Sequence, residues 1–182
     1  SSQSRKSTIA HLALTHFGTG FIQGHQYHAP IDWMSTITAI EGALFRAKDT
    51  PIIIDDFAPQ FASAAESREM HKKAHVTVRS VGNRASRSRS QVDLTDRMTR
   101  IPRGVVFSTA ELPLVGESTV GRMIYIPIER GDILPVEGEP MRDTLNQAQA
   151  HAQDGQYAQA MSAYVQWLAS NWSRAVEQFP DM

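Results

Sequence analysis

Two short runs of β-branched and apolar residues constrain this chain more than anything else in it. PIII at 51–54 leads straight into Asp55 and Asp56, and RGVVFST at 103–109 likewise ends in polar residues. Such runs are too short for a helix and too hydrophobic for a loop, and their lack of polar alternation marks strands buried on both faces. RMIYIPI at 122–128 reads as a third strand of this kind. Strands covered on both faces need helices above and below, and the intervening segments supply them. Ile9, Leu12, Ala13 and Phe17 recur at helical spacing before a stop at Gly18. Asp32 is placed to cap a second helix carrying Trp33, Ile37, Ile40 and Leu44 on one stripe. Ser63 and Glu66 have the spacing of a capping box for a helix through about Val78. GFIQG and QVDL read as short strands, GDILPVEGEP as a linker, and 142–153 and 156–179 as two helices parted at Asp154-Gly155. The second places Tyr157, Met161, Tyr164, Leu168 and Trp172 on one side. The expectation is an α/β fold with a parallel sheet and a small helical tail.

At 182 residues the chain is long enough for a sizeable core. It has no cysteine, which excludes disulfides, thiolate metal sites and cysteine nucleophiles. No apolar run approaches the ~18–20 residues that span a bilayer, and the start lacks the apolar core of a signal peptide. A cytoplasmic protein with no membrane partner is expected. The opening Ser-Ser-Gln-Ser has no methionine and begins mid-motif, as a fragment would. The net charge of −1 hides an asymmetry: residues 79–103 hold seven arginines against two aspartates, +5, leaving −6 for the rest. A basic segment of that density points to an anionic partner.

In parallel α/β sheets, ligands sit beyond the carboxyl ends of the strands, where Asp55 and Asp56 fall. Adjacent carboxylates there need a cation or hydrogen-bond donors to offset their charge. Magnesium held through water would suit one, and the other would orient an attacking water. Capping a helix or pairing with arginine would serve equally. Ser4-Arg5-Lys6-Ser7-Thr8 matches the end of the phosphate-loop pattern G-x-x-x-x-G-K-[ST] leading into a helix. That loop aims backbone N–H groups and a lysine at phosphate oxygens, while its hydroxyl ligates magnesium. Arg5 stands where the second glycine belongs, and the first would precede Ser1. Ser108 or Thr109, at the next strand end, would contact a terminal phosphate or its attacking water. Arg122 would reach a neighbouring subunit's nucleotide, with a surface salt bridge as the plainer role.

The runs DWMSTITAIEGALFRAKDTPIIIDDFAP, GNRASRSR and RGVVFSTAE…GRMIYIPI, with the tail LNQAQAHAQDGQYAQAMSAYVQWLA, carry a family resemblance over nearly the whole chain. They resemble the P-loop ATPase domains of primase–helicase-like proteins from plasmids, prophages and integrative elements, similar to AAA+ and superfamily-three helicase folds. The resemblance implies a P-loop NTPase-like parallel sheet flanked by helices over 1–135, truncated at its N-terminus, and a helical segment over 136–182. ATP and Mg2+ would be the cofactors and DNA the partner, on a homo-oligomer for which a hexameric ring is one form. Ser4, Arg5, Lys6, Ser7 and Thr8 would bind nucleotide, and Ser7 and Asp55 the metal. Asp56 would be the catalytic base, Thr109 the γ-phosphate sensor and Arg122 the finger supplied in trans.

The arginine tract, Arg84, Arg87 and Arg89 foremost, lies where superfamily-three helicases carry a DNA-contacting hairpin. It has no aromatic residue for base stacking, so any DNA contact would be electrostatic and indifferent to sequence. A solvated loop, or pairing with a neighbouring subunit's acids, would also explain it. His71 and His75, spaced i, i+4, would join His25, His28 and the aspartates in a metal site only if the fold assembled them. EMHKKAH is not H-E-x-x-H, and helix-surface histidines are the ordinary outcome. The alternative to an ATPase is a fold of the same kind, degraded at Arg5, that binds DNA without hydrolysing nucleotide.

Overall fold

The structure is a computed structural model and describes residues 5–23, 26–27, 31–85, 100–129, 131–133 and 141–178. Helix α1 spans Lys6–Leu14 and continues as a 3-10 turn over Thr15–Phe17. A two-stranded antiparallel pair follows, β1 (Ile22–Gln23) and β2 (Gln26–Tyr27). The centre is built from β3 (Ile31–Asp32), α2 (Ile37–Arg46), β4 (Ile52–Phe57), α3 (Ala64–Gly82) and β5 (Val106–Ala110). Strands β3, β4 and β5 lie side by side in that order, and both pairs are parallel. The remaining helices are α4 (Glu117–Val120), α5 (Met141–Gln153), α6 (Gln156–Ser170) and α7 (Trp172–Gln178). The chain is therefore α/β, with a small three-stranded parallel sheet flanked by helices.

The pleat sorts the isoleucines of β4 between two faces. Ile52 and Ile54 pack with Ile40 and Leu44 of α2, Met70 and Ala74 of α3, and Trp33. Ile53, on the other face, is fully buried, and α1 lies against β4 and β5. A smaller cluster joins Leu12 of α1 to Leu145 and Ala152 of α5, and His16 stacks on Tyr157 at 4.8 Å. Helix α3 starts as its sequence predicts. Ser63 accepts the Glu66 N–H, and the Glu66 carboxylate accepts the Ser63 N–H at 3.0 Å. Gly104, just before β5, permits a close crossing: a Cβ there would collide with the backbone carbonyls of Thr50 and Ala47.

Five expectations are corrected. Strand β5 is not buried on both faces: it lies at the edge of the described sheet, and Phe107 and Ser108 are exposed. Helix α1 buries His11, Leu12 and Leu14, while Ile9 and Phe17 of the expected stripe are exposed. Helix α2 is capped by Thr36, which accepts the Ala39 N–H at 3.2 Å, and not by Asp32. Asp32 ends β3 instead, and its carboxylate takes up the Ser35 N–H and hydroxyl at 2.8 and 3.0 Å. Trp33, off the helix, is thereby freed to fill the core. Residues 122–128 do not form a strand; the third strand is Ile31–Asp32 on the far side of β4. A strand forms only where a neighbour supplies hydrogen bonds. Ile124, Tyr125 and Ile126 are exposed and pair with none of the described strands. The tail breaks once more than expected, at Asn171, whose side-chain amide and backbone N–H both bond back to Trp167 O and end α6. Tyr164 and Trp172 of its apolar stripe are exposed. QVDL lies outside the described residues. Among those described, no helix is long and apolar enough to cross a membrane.

Candidate functional site

The carboxyl end of β4 is irregular, and that irregularity creates the site. Ile54 pairs with Ser108 and Phe57 with Ala110, so β4 spends one residue more than β5 over the same stretch. The extra residue is a bulge, a device that re-aims side chains. Asp56 takes φ 61°, a left-handed conformation that aspartate tolerates better than most residues. The consequence is that Asp55 and Asp56 leave the buried run while Phe57 returns to the core, 1 % exposed.

Two hydroxyls from distant parts of the chain converge on one oxygen of Asp55. Ser7, in the first turn of α1, donates to Asp55 Oδ1 at 3.0 Å. Thr109, buried on β5, donates to the same oxygen. The Thr109 hydroxyl also accepts the Asp56 N–H at 3.2 Å, which pins the bulge. Among the described residues no lysine, arginine or histidine forms an ion pair with Asp55. Lys6, beside Ser7, reaches Glu111 just past β5, Nζ to Oε1 3.7 Å. Arg5, at the N-cap of α1, has φ 58°. That left-handed conformation is free for glycine and strained for arginine, and it occurs where the phosphate-loop pattern has glycine.

The remaining expected residues fall as follows. Asp56 is exposed, at the sheet's rim. Thr8 is half-buried in α1. Ser108 does not join Thr109; it accepts the Trp33 indole N–H at 2.9 Å. Arg122 is held within its own chain: Nε donates to Asn83 Oδ1 at 3.0 Å, Nη1 donates to Ser118 O, and the stem lies over Gly82. Arg84 is exposed after the end of α3. Ser4, Arg87, Arg89, His25 and His28 lie outside the described residues. His71 packs edge-on against Phe57 at 5.2 Å, and the His75 ring bonds the Thr119 hydroxyl at 2.6 Å. Among the described residues no three His, Asp or Glu side chains group as a metal site. Magnesium asks less, because it keeps several waters and takes one or two protein oxygens beside a ligand's phosphates. The Ser7 hydroxyl and the Asp55 carboxylate, hard oxygens at 3.0 Å, fit that requirement.

Lys73 is a supporting residue that the sequence reading missed. It is 8 % exposed, and its ammonium donates to Trp33 O and Ser35 O, the latter at 2.9 Å. The bonds fasten the turn after β3 to α3, while Trp33 N–H donates to Asp55 O at 3.2 Å. A signal existed: Met70, Lys73, Ala74, Thr77 and Val81 follow one helical stripe, so a lysine sits on the apolar face.

Comparison of the chain with protein-family models, curated proteins and solved structures found no match.

Proposed function

We propose that the carboxyl end of this sheet binds the phosphates of ATP with magnesium, and that the protein is an ATPase of the P-loop kind that works on DNA. The observation that carries the reading is the meeting of Ser7, Asp55 and Thr109, separated by 48 and 54 positions in sequence, on one carboxylate oxygen. Hydroxyls alone leave the Asp55 charge only partly offset, which favours a cation at this point. The left-handed backbone at Arg5 supports the same reading, since it turns the chain into α1 as a phosphate loop does.

In this reading, Lys6 leaves Glu111 to bind the β- and γ-phosphates, and the first N–H groups of α1 face the same anion. Ser7 and Asp55 would hold magnesium, which when bound neutralises phosphate charge. Thr109 keeps Asp55 aimed and meets the terminal phosphate. Asp56, solvent-facing on the bulge, orients the attacking water, and Arg122 is released from Asn83 to serve a neighbouring subunit in an oligomer. Arg84, Arg87 and Arg89 contact DNA through its phosphates. The test is ATP turnover by the full chain with Lys6→Ala and Asp55→Ala. Loss in both is expected, and unchanged turnover in both overturns the assignment.

A second reading is favoured by one feature, the arginine in a glycine conformation at position 5. A loop degraded there would leave a DNA-binding module without hydrolysis. Binding to single-stranded DNA across a salt series, with and without ATP, separates the two. The module binds DNA with no nucleotide dependence, and affinity indifferent to salt refutes both electrostatic versions.

A further inference from the structure

We infer that a second anion site, separate from the Ser7–Asp55 cluster, lies on α2 and takes a phosphate group between Arg46 and Arg100. An open cleft of about 540 Å³ there is lined by residues that include Ile31, Ser35, Thr36, Gly42, Arg46 and Arg100. Gly42 sits between the two arginines. A Cβ on Gly42 would lie 3.2 Å from Nη1 of each, so the heads share one small space against bare helix backbone. Like charges this close repel unless an anion lies between them. Among the described residues no carboxylate lines the cleft, and neither guanidinium has a hydrogen-bond or ion-pair partner.

Arg103 shows the contrast. Its guanidinium donates to Phe45 O at 2.8 Å and covers the Phe45 ring at 4.3 Å, so its place in the fold is accounted for. Among the described residues, Arg46 and Arg100 have no such employment. Two forked, planar donors facing one volume match a tetrahedral dianion better than a single carboxylate, because each can donate two parallel bonds. On the wall, the Thr36 hydroxyl accepts the Ala39 N–H and keeps its own proton to donate, whereas the Ser35 hydroxyl is spent on Asp32. The cleft's volume is that of a small-ligand site, so it admits a phosphate with the group that bears it. That phosphate can be free or part of a nucleic-acid strand, and the chemistry of recognition is the same.

The full chain, labelled with nitrogen-15, is titrated first with inorganic phosphate and then with a short oligothymidylate, following the backbone amides of Ser35, Thr36 and Gly42. Saturable shifts at these amides are expected. Arg46→Gln or Arg100→Gln should weaken them roughly tenfold to a hundredfold, as expected for losing a charge-assisted bond, while Arg46→Lys keeps part of the effect. Lys6→Ala should leave them unchanged, which separates this site from the nucleotide site proposed above. Shifts with phosphate alone identify a free phosphate ligand, and shifts with the oligonucleotide alone identify a strand backbone. For the strand, each arginine variant lowers the slope of log affinity against log salt by about 0.7. No saturable shift with either probe, or shifts untouched in the doubly substituted chain, overturns the proposal.

Discussion

Replacing Thr109 with valine tests the construction of the site without requiring any ligand. The side chain keeps its shape and loses one hydroxyl, which here makes two bonds: it donates to Asp55 Oδ1 and accepts the Asp56 N–H at 3.2 Å. A bond to a charged group contributes ~1.5–3 kcal/mol. The lower part of that range applies, because Asp55 is only half-buried and retains the Ser7 hydroxyl at 3.0 Å. The Asp56 N–H lies on an exposed residue, so water replaces much of that bond. The added methyl recovers up to ~0.8 kcal/mol by burial. The expected net cost is thus ~1–2 kcal/mol. In urea unfolding at neutral pH, a slope of about 2 kcal/mol per molar makes this a fall of roughly 0.5–1 M in the midpoint. Ser7→Ala and the double variant complete a cycle. Because both hydroxyls serve one oxygen, the two losses should couple by at least ~0.5 kcal/mol. A Thr109→Val chain as stable as the parent, with strict additivity in the cycle, refutes the shared-carboxylate geometry.

Gly104→Ala places a methyl against the carbonyls of Thr50 and Ala47, backbone that cannot swing aside. Thermal or urea unfolding should show a loss of ~1–3 kcal/mol, typical of overpacking, and a neutral result would mean that the strand crossing is looser than described. Glu66 supplies the pH dependence. Hydrogen bonds from Ser63, through its side chain first and its backbone N–H second, hold the Glu66 carboxyl below its ordinary value of 4.5. Its stabilising contribution is therefore complete above pH 4.5 and disappears as the pH falls through the lower folded value. The gap in urea midpoint between the parent and Glu66→Gln should be constant near neutrality and close in acid; a gap that widens on acidification contradicts the capping box.

What could be read from sequence was local. The capping box at Ser63 and Glu66, the existence of α1 and α2, and the strands around Ile52–Ile54 and Val106–Thr109 follow from propensity and spacing, which neighbouring residues decide among themselves. So does the placing of Lys6, Ser7, Asp55 and Thr109 at helix starts and strand ends, where parallel sheets present functional groups. The residues that needed tertiary structure are those whose environment lies far away in sequence. RMIYIPI has the composition of a strand, but composition cannot provide an edge to pair with. Ile31–Asp32 is too short to announce itself, yet it pairs with β4 in the register Ile31↔Ile54 and Asp32↔Asp55. Lys73 is buried because Trp33 O and Ser35 O await it, and Arg46 meets Arg100 because Gly42 leaves room for both heads.

The pair Asp55-Asp56 shows the division most clearly. Sequence determined that two carboxylates follow a buried apolar run and so require compensation. Only the fold decided that they part company there, Asp55 under two hydroxyls and Asp56 out at the rim. The cause is a one-residue bulge against β5, a property of pairing between strands about fifty positions apart that no local preference encodes.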